Sequence, residues 1–352
     1  MPLQVKPGKA SVKDVATLAG VSLGSVSRVI NKFENVSPEV RDKVLRAIEQ
    51  LDYRLNHAAQ TLRSRSSRTV GCMLTDVTNP LYANLYRVFE EKFRAAGYMV
   101  LLANSLNNSR WEVDILNTFQ SRGMDGVLIA PGNERNAEVL AAVESLGVPA
   151  VILDRDMDTH HDQVQFDHAP GVKAAVLHLI SLGHRDIALV VAGTSNRPMR
   201  RRTEGFRAGF SASGLKIDPG LIVRVPTSTS LAFAPVDALL ARPRRPTAIL
   251  TLGTSVLGDV LNAINARHLR IPEDISVVSM GDPDFVRSHV PAVSTVTVDL
   301  PTAAGESCRL LLERMSGQSS DDARRVIVPT KFLLRGSCGP VPSVAGRVKP
   351  TR

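Results

Sequence analysis

S-V-K-D-V-A-T-L-A-G-V-S-L-G-S-V-S-R-V-I-N, from Ser11 to Asn31, reads as two short helices joined by a tight corner. Apolar residues recur at Val12, Val15, Ala16 and Ala19 and again at Val21, Val26, Val29 and Ile30, a helical spacing broken once, at Gly20. Ser11 is placed to cap the first helix with Asp14 as its reciprocal partner, and Ser22 to cap the second. Gly20 supplies the backbone freedom that the corner needs. In a helix–turn–helix of this kind the second helix enters a DNA major groove, which would turn Leu23, Gly24, Ser25 and Arg28 toward bases or phosphates. An ordinary helical hairpin has the same pattern, so the stretch alone leaves both readings open.

Working outward, Lys32 to Val36 read as a loop. Ser37-Pro38-Glu39 is a helix start, with a capping serine, proline at the first position and an early acid. That helix should run to about Leu51, its Val40, Val44, Leu45 and Ile48 forming the stripe that closes a three-helix headpiece. Tyr53 to Arg63 and the following R-S-R-S-S-R are polar and basic, the texture of a linker. From Thr69 short apolar runs alternate with amphipathic stretches. The runs are Val70–Leu74, Met99–Ala103, Gly126–Ala130, Ala150–Leu153, Ile187–Val191, Leu221–Val225, Ala248–Leu252, Ile275–Met280 and Ser294–Val298. This alternation predicts parallel sheets with helices on both faces, and its length predicts two lobes with a ligand cleft between them. The expected domains are a headpiece at 1–52, a hinge at 53–68, a two-lobed body at 69–338 and a basic, disordered tail at 339–352. Lobe 1 takes about 69–166 and 300–324, and lobe 2 takes 167–299 and 325–338.

The chain has 352 residues and a net charge of +9, unevenly spread. Residues 1–68 hold 12 Lys and Arg against 6 Asp and Glu, a net of +6; the tail from Gly339 adds +3 and the rest is neutral. A basic amino-terminal segment on a neutral body fits a phosphate-binding footprint confined to one small domain, and equally a solvated basic arm. No apolar run reaches the roughly 18 residues of a membrane helix and the start lacks a signal-peptide core, so the cytoplasm is the expected compartment. Cys72, Cys308 and Cys338 match neither a disulfide framework nor a zinc spacing and read as buried thiols.

Several motifs in order resemble the lactose repressor/galactose repressor (LacI/GalR) family of bacterial transcription regulators over about Ser11 to Ser337. They are V-K-D-V-A-T-L-A-G-V-S, V-S-R-V-I-N, V-S-P-E-V-R, the Tyr53–Arg63 segment, T-D-V-T-N-P-L-Y, R-R-T-E-G-F and I-P-E-D-I-S-V-V. The resemblance implies an all-α headpiece on an α/β, two-lobed, periplasmic-binding-protein-like body. It also implies a homodimer, with tetramers possible, that represses transcription from a pseudo-palindromic operator under control of a small-molecule effector, a sugar or related metabolite.

The resemblance places DNA contacts at Ser22, Leu23, Gly24, Ser25, Ser27, Arg28, Asn31 and Asn35. Leu23 and Gly24 hold the positions that set operator preference; Gly24 has no side chain to read a base, and serves either nothing or close backbone packing. In the hinge, Asn56, Ala59 and Leu62 match the segment that becomes helical on the operator, where a leucine from each subunit wedges into the minor groove. Two turns are too short to be stable alone, so folding would be coupled to binding.

The implied effector contacts are Asp76, Asn79, Leu81, Tyr82, Asp154, Arg202, Leu252 and Asp282. Arg202 has the forked guanidinium suited to paired hydrogen bonds, whereas Arg200 and Arg201 also read as a solvated charge run. Two departures remove hydrogen-bonding side chains. Leu252 and Gly253 stand where the family carries an Asn-Asp pair, and Gly281 stands at the ligand aspartate, leaving Asp282 or Asp284 to substitute. The cleft is therefore expected to be less polar there than in typical sugar-responsive members of the family.

Enzyme motifs are absent: no G-x-x-x-x-G-K, no G-x-G-x-x-G after a strand, no strand-to-helix G-x-S-x-G elbow and no H-E-x-x-H occurs. No cofactor is expected. His160, His161, Asp162, Asp167 and His168 form the one sequence cluster with metal-ligand types, and His184 reads as a structural turn histidine. A transporter's solute-binding protein would share the body but needs export and no headpiece.

Overall fold

The computed structural model describes residues 10–30, 33, 35–53, 66–193, 196–226, 232–318 and 322–342. They fall into two compact units, Met1–Ser67 and Arg68–Arg352.

In the first unit, α1 (Val12–Ala19) opens with the expected capping box: the Ser11 hydroxyl accepts from Asp14 N, and the Asp14 carboxylate accepts from Ser11 N at 2.8 Å. Gly20 closes it at φ 64°, in the left-handed region that favours glycine. The helix α2 (Leu23–Ile30) begins with Ser25 N donating to the Ser22 hydroxyl at 3.1 Å, and α3 (Pro38–Gln50) is capped by Ser37. Val15, Ala16, Ala19, Val26, Val29, Val44 and Ala47 form the core, joined by Tyr53. Tyr53 therefore belongs to the headpiece core rather than to the hinge. Leu45, expected in the apolar stripe, is half exposed.

The second unit alternates strand and helix. Its elements are β1 (Thr69–Leu74), α4 (Pro80–Ala95), β2 (Met99–Asn104), α5 (Ser109–Ser121), β3 (Gly126–Ile129), α6 (Ala137–Glu144), β4 (Ala150–Leu153), β5 (Asp162–Asp167) and α7 (His168–Ser181). There follow β6 (Ile187–Ala192), α8 (Arg197–Ala212), β7 (Ile222–Val225), α9 (Phe233–Leu240), β8 (Ala248–Thr251) and α10 (Leu257–Ala266). The chain ends with β9 (Ser276–Met280), α11 (Asp284–Ser288), β10 (Ser294–Val298), α12 (Leu300–Met315) and β11 (Arg325–Leu333). The strand order is β2-β1-β3-β4-β5-β11-β10-β9-β8-β6-β7, and every pairing is parallel except β10 with β11. Each sheet half is apolar on both faces because helices cover both: Val70, Cys72 and Leu74 of β1 enter one core cluster and Met73 the opposite one.

Two strands were not expected. β5, D-Q-V-Q-F-D, lacks an apolar run; its buried Gln163 and Gln165 amides donate to the Met157 and Arg155 carbonyls and are satisfied inside the protein. β11 carries Pro329, which normally argues against a strand. It crosses between the sheet halves: Arg325–Pro329 pair with β5, and Thr330–Leu333 pair antiparallel with β10. The third crossing thus lies inside β11, between Pro329 and Thr330, rather than ahead of it at Arg325. Nor does a tail begin at Gly339. The His184 ring and the Ser276 hydroxyl contact the Gly339 carbonyl, and Val341 N donates to Leu182 O. His184 is the buried structural histidine expected; Cys72 and Cys308 are buried, whereas Cys338 is only partly so.

Candidate effector cleft and DNA-facing helix

The cleft is assembled by a close crossing of α7 and α8. A Cβ on Gly209 would fall 2.6 Å from Val176, and one on Gly205 would collide with the Ala169 backbone. The absence of both side chains lets the two helices meet nearly backbone to backbone. This brings His168, the first residue of α7, beside Arg197 and Arg202 of α8.

Asp154 lies at the centre of the resulting network. It directly follows β4 at φ 49°, a left-handed conformation that aspartate tolerates better than most residues. One carboxylate oxygen accepts from Phe166 N at 3.1 Å and from Arg197 Nη1 at 2.8 Å; the other is 2.7 Å from His168 Nε2. Arg202 Nε donates to His168 Nδ1 at 3.3 Å. Because guanidinium only donates, Nδ1 is the acceptor, so the ring is neutral with its proton on Nε2, directed at Asp154. Burial pushes the His168 imidazole down to about 4, outweighing the pull of Asp154. Burial alone would raise the Asp154 carboxyl, but His168 and then Arg202 and Arg155 hold it below its usual value. Arg155 is wholly buried, donating through Nη1 to Asp154 O, through Nη2 to the Tyr82 hydroxyl and through Nε to Pro131 O.

Two cavities open on this network, of about 410 and 70 Å³. Asp76, Asn79, Leu81, Tyr82, Asp154 and Arg202 all line the larger; Asn79, Leu81 and Arg202 also line the smaller, with Asp282. Seven of the eight effector-site expectations thus meet at one cleft. Leu252 does not. Its side chain is 1% exposed in the core, and only its carbonyl reaches the network, accepting from Arg202 Nη1 at 2.9 Å. Asp282 lies at the cavity but is paired at 2.8 Å with Arg335, and Asp284 is an exposed partner of Arg287, so neither replaces a ligand-facing aspartate. Gly253 and Gly281 line the smaller cavity and offer it no side chain.

Arg155, Arg197 and the role of His168 escaped the sequence reading. Arg155 follows Asp154 directly and Arg197 opens a helix after Asn196, but no spacing distinguishes either from a surface arginine. Arg200, read equally as a solvated charge, pairs with the buried Glu134 at 2.6 Å, while Arg201 joins Glu204 on the surface. The histidine-rich sequence cluster is dispersed. His160 pairs with Glu144, His161 with the Val143 carbonyl, Asp162 with Arg314 and Arg324, Asp167 with Arg201, and His168 with Asp154.

In the headpiece, α2 buries Val26 and Val29 and exposes Leu23, Gly24 and Arg28, with Ser25 and Ser27 partly covered. The Ser22 and Ser25 hydroxyls lie 3.0 Å apart at its start. A Cβ on Gly24 would have its nearest neighbours at 3.7 and 3.8 Å, the Ser22 hydroxyl and the Arg28 guanidinium. Nothing in the headpiece therefore requires glycine there. Asn35 is exposed. Asn31, Asn56, Ala59 and Leu62 lie outside the described residues.

Residues 11–56 match the model for bacterial regulatory proteins of the lacI family, and residues 176–338 match the periplasmic binding protein-like domain. The ribose operon repressor of Escherichia coli (strain K12) is 30% identical over 331 residues, covering 93% of this chain and 99% of that one. The chain belongs to the LacI family. Catabolite control protein A of Priestia megaterium, also of this kind, is 30% identical over 93% of the chain and 98% of its own length. The crystal structure of the lac repressor dimer bound to operator and the anti-inducer ONPF superposes with a TM-score of 0.82 at 25% identity, covering 94% of this chain and 99% of that one. Family members are transcriptional regulators, and no helix among the described residues is long and apolar enough to cross a membrane.

Proposed function

We propose that this chain is a transcriptional repressor that acts in the cytoplasm as a homodimer, binds a pseudo-palindromic operator and is gated by a small-molecule effector held in the cleft. It catalyses no reaction. The observation that carries the reading is the pairing, in one chain, of a helix–turn–helix unit exposing Leu23 and Arg28 with a two-lobed body whose cleft gathers Asp76, Asn79, Tyr82, Asp154 and Arg202. The lac repressor dimer and the ribose repressor lend the dimer, the operator and the effector class to this reading by likeness.

Gating follows from the topology. Three chain crossings join the lobes, and Arg200–Glu134 and Thr254–Asn79 also bridge them across the cleft. A ligand that prefers one closure state shifts the population of that state, and with it the placement of paired DNA readers. Operator specificity rests on Leu23, on Arg28, for which guanine is the preferred partner, and on DNA shape, with Ser22, Ser25, Ser27, Asn31 and Asn35 supplying further contacts. Asn56, Ala59 and Leu62 serve the hinge, Leu62 as the minor-groove wedge.

Genome-wide binding of the native protein tests this reading. It should return a small set of sites sharing one inverted repeat, and metabolites of the neighbouring genes should change operator affinity in the wild type but not in Arg202→Ala. Binding without a shared repeat, or an unaltered response in Arg202→Ala, contradicts it.

A further inference from the structure

We propose that the effector is an anion, a small polyhydroxylated metabolite bearing a carboxylate or a phosphate, whose negative group sits on Arg202; this rests on the effector-gated reading above.

The first observation is charge. Arg155, Arg197 and Arg202 surround a single carboxylate, Asp154, and His168 between them is neutral by its bonding. Two further buried acids lie near: Glu134, matched to a fourth guanidinium, Arg200, at 2.6 Å, and Glu112, close enough to Arg155 to feel its charge but pushed by burial toward its neutral form. The other nearby acids, Asp76 and Asp156, are in contact with solvent. Burying uncompensated guanidinium is costly, and a bound anion removes that cost at the moment of closure. Burial, with Arg155 nearby, lowers the Arg202 pKa against the pull of Asp154 and Tyr82, while Arg155, opposed by the same burial but held by Tyr82, Asp154 and Glu134, is raised.

The second observation is the balance of donors and acceptors. Arg202 lines both cavities; its Nε and Nη1 are committed to His168 and Leu252, and its Nη2 makes no hydrogen bond among the described residues. Asn79 and Asn196 line the larger cavity as helix caps, their side-chain oxygens taken by Leu81 N and Met199 N. Asn79, whose oxygen also takes the Thr254 hydroxyl, has only its NH₂ left for a ligand, a donor, and Asn196 offers its NH₂ beside one remaining lone pair. Both cap helices of 16 residues, so two positive helix ends border the cavity as well. Among the described residues charged acceptors are scarce, although Thr75, Thr78, Ser255 and Asn107 also line the larger cavity with neutral polar groups. Asp154 is saturated from within, Asp282 is held by Arg335, and Gly253 and Gly281 line the smaller cavity without any side chain. Asp76, with one carboxylate oxygen taken by Thr78 N and Oγ1, keeps the other for a hydroxyl. Guanidinium and amide donors at one end and a single free carboxylate oxygen at the other describe a charged acid of a polyol better than a neutral sugar.

The test is thermal melting of the full chain at fixed ionic strength with D-gluconate, D-glucose 6-phosphate or D-glucose. At least one anion should raise the melting temperature of the body by about 3 °C or more at saturation. Which anion does so separates a carboxylate from a phosphate. Arg202→Met should abolish the shift and Arg202→Lys should retain part of it, while Arg244→Met, which removes a surface guanidinium paired with Asp186, should leave it intact. A glucose shift equal to that of the anions, no anion shift beyond sodium chloride, or a shift surviving in Arg202→Met overturns the proposal. Operator titration of the same samples separates the two claims. Retained operator binding without any anion effect removes only the anion, whereas failure to bind any operator removes the gated reading itself.

Discussion

Asp162 and His168 are titratable groups that the fold holds away from their ordinary ionisation, in opposite electrical states. Asp162 is fully buried, and burial alone would raise its carboxyl; the hydrogen bonds of Arg314 and Arg324 instead hold it down to about 2. Its folded pKa lies below the unperturbed 3.8, so its contribution to stability is complete above about pH 4 and is lost as pH falls through about 2. His168 is depressed from 6.5 to about 4, so the folded state favours the neutral ring. Its contribution is complete above pH 6.5 and is lost as pH falls through 4. NMR titration of the His168 ring should give a midpoint near 4, and a midpoint near 6.5 would contradict the assigned network. Asp162→Ala, which strands two arginines, should lower the unfolding free energy of the body by about 3 kcal/mol in urea titrations.

At the scale of elements, α8 carries most of the site. Arg197, Arg200 and Arg202 sit in its first two turns, and Gly205 lets it approach α7 closely enough for Arg202 to meet His168. Gly205→Ala puts a methyl group into the Ala169 backbone, so the helices must part. It should cost about 1–3 kcal/mol of stability and weaken effector response even though it touches no ligand; an effector response unchanged from wild type would show that the crossing does not position Arg202. The same elements show what was legible in the chain. Nine strands were readable because each is a short apolar run, most of them buried on both faces; the edge strand β2 is apolar yet exposes Met99, Leu101 and Leu102. β5 and β11 were not, because one fills its interior with glutamines satisfied by distant carbonyls and the other carries a proline at its crossing point. Capping residues made the headpiece legible almost to the residue, from the Ser11–Asp14 box to Gly20. In the cleft the sequence pointed to residues that line the space, but Leu252 shows its limit. A position can be right for the chain while its side chain turns into the core.

For the whole molecule, the fold joins a small basic reader to a neutral body. The headpiece and linker hold a net charge of +6, which supplies phosphate attraction to any DNA and makes binding fall with salt. Specificity has to come on top of that from few side chains, since Gly24 presents none. The most direct measurement is therefore fluorescence anisotropy of the full chain, at one fixed salt concentration, on its selected operator and on a scrambled duplex of equal length. The operator should bind at least about 1,000-fold more tightly, with Arg28→Ala losing about 1–3 kcal/mol on the operator and far less than that on the scrambled duplex. Equal affinity for the two duplexes, or an equal loss on both in Arg28→Ala, would contradict the account.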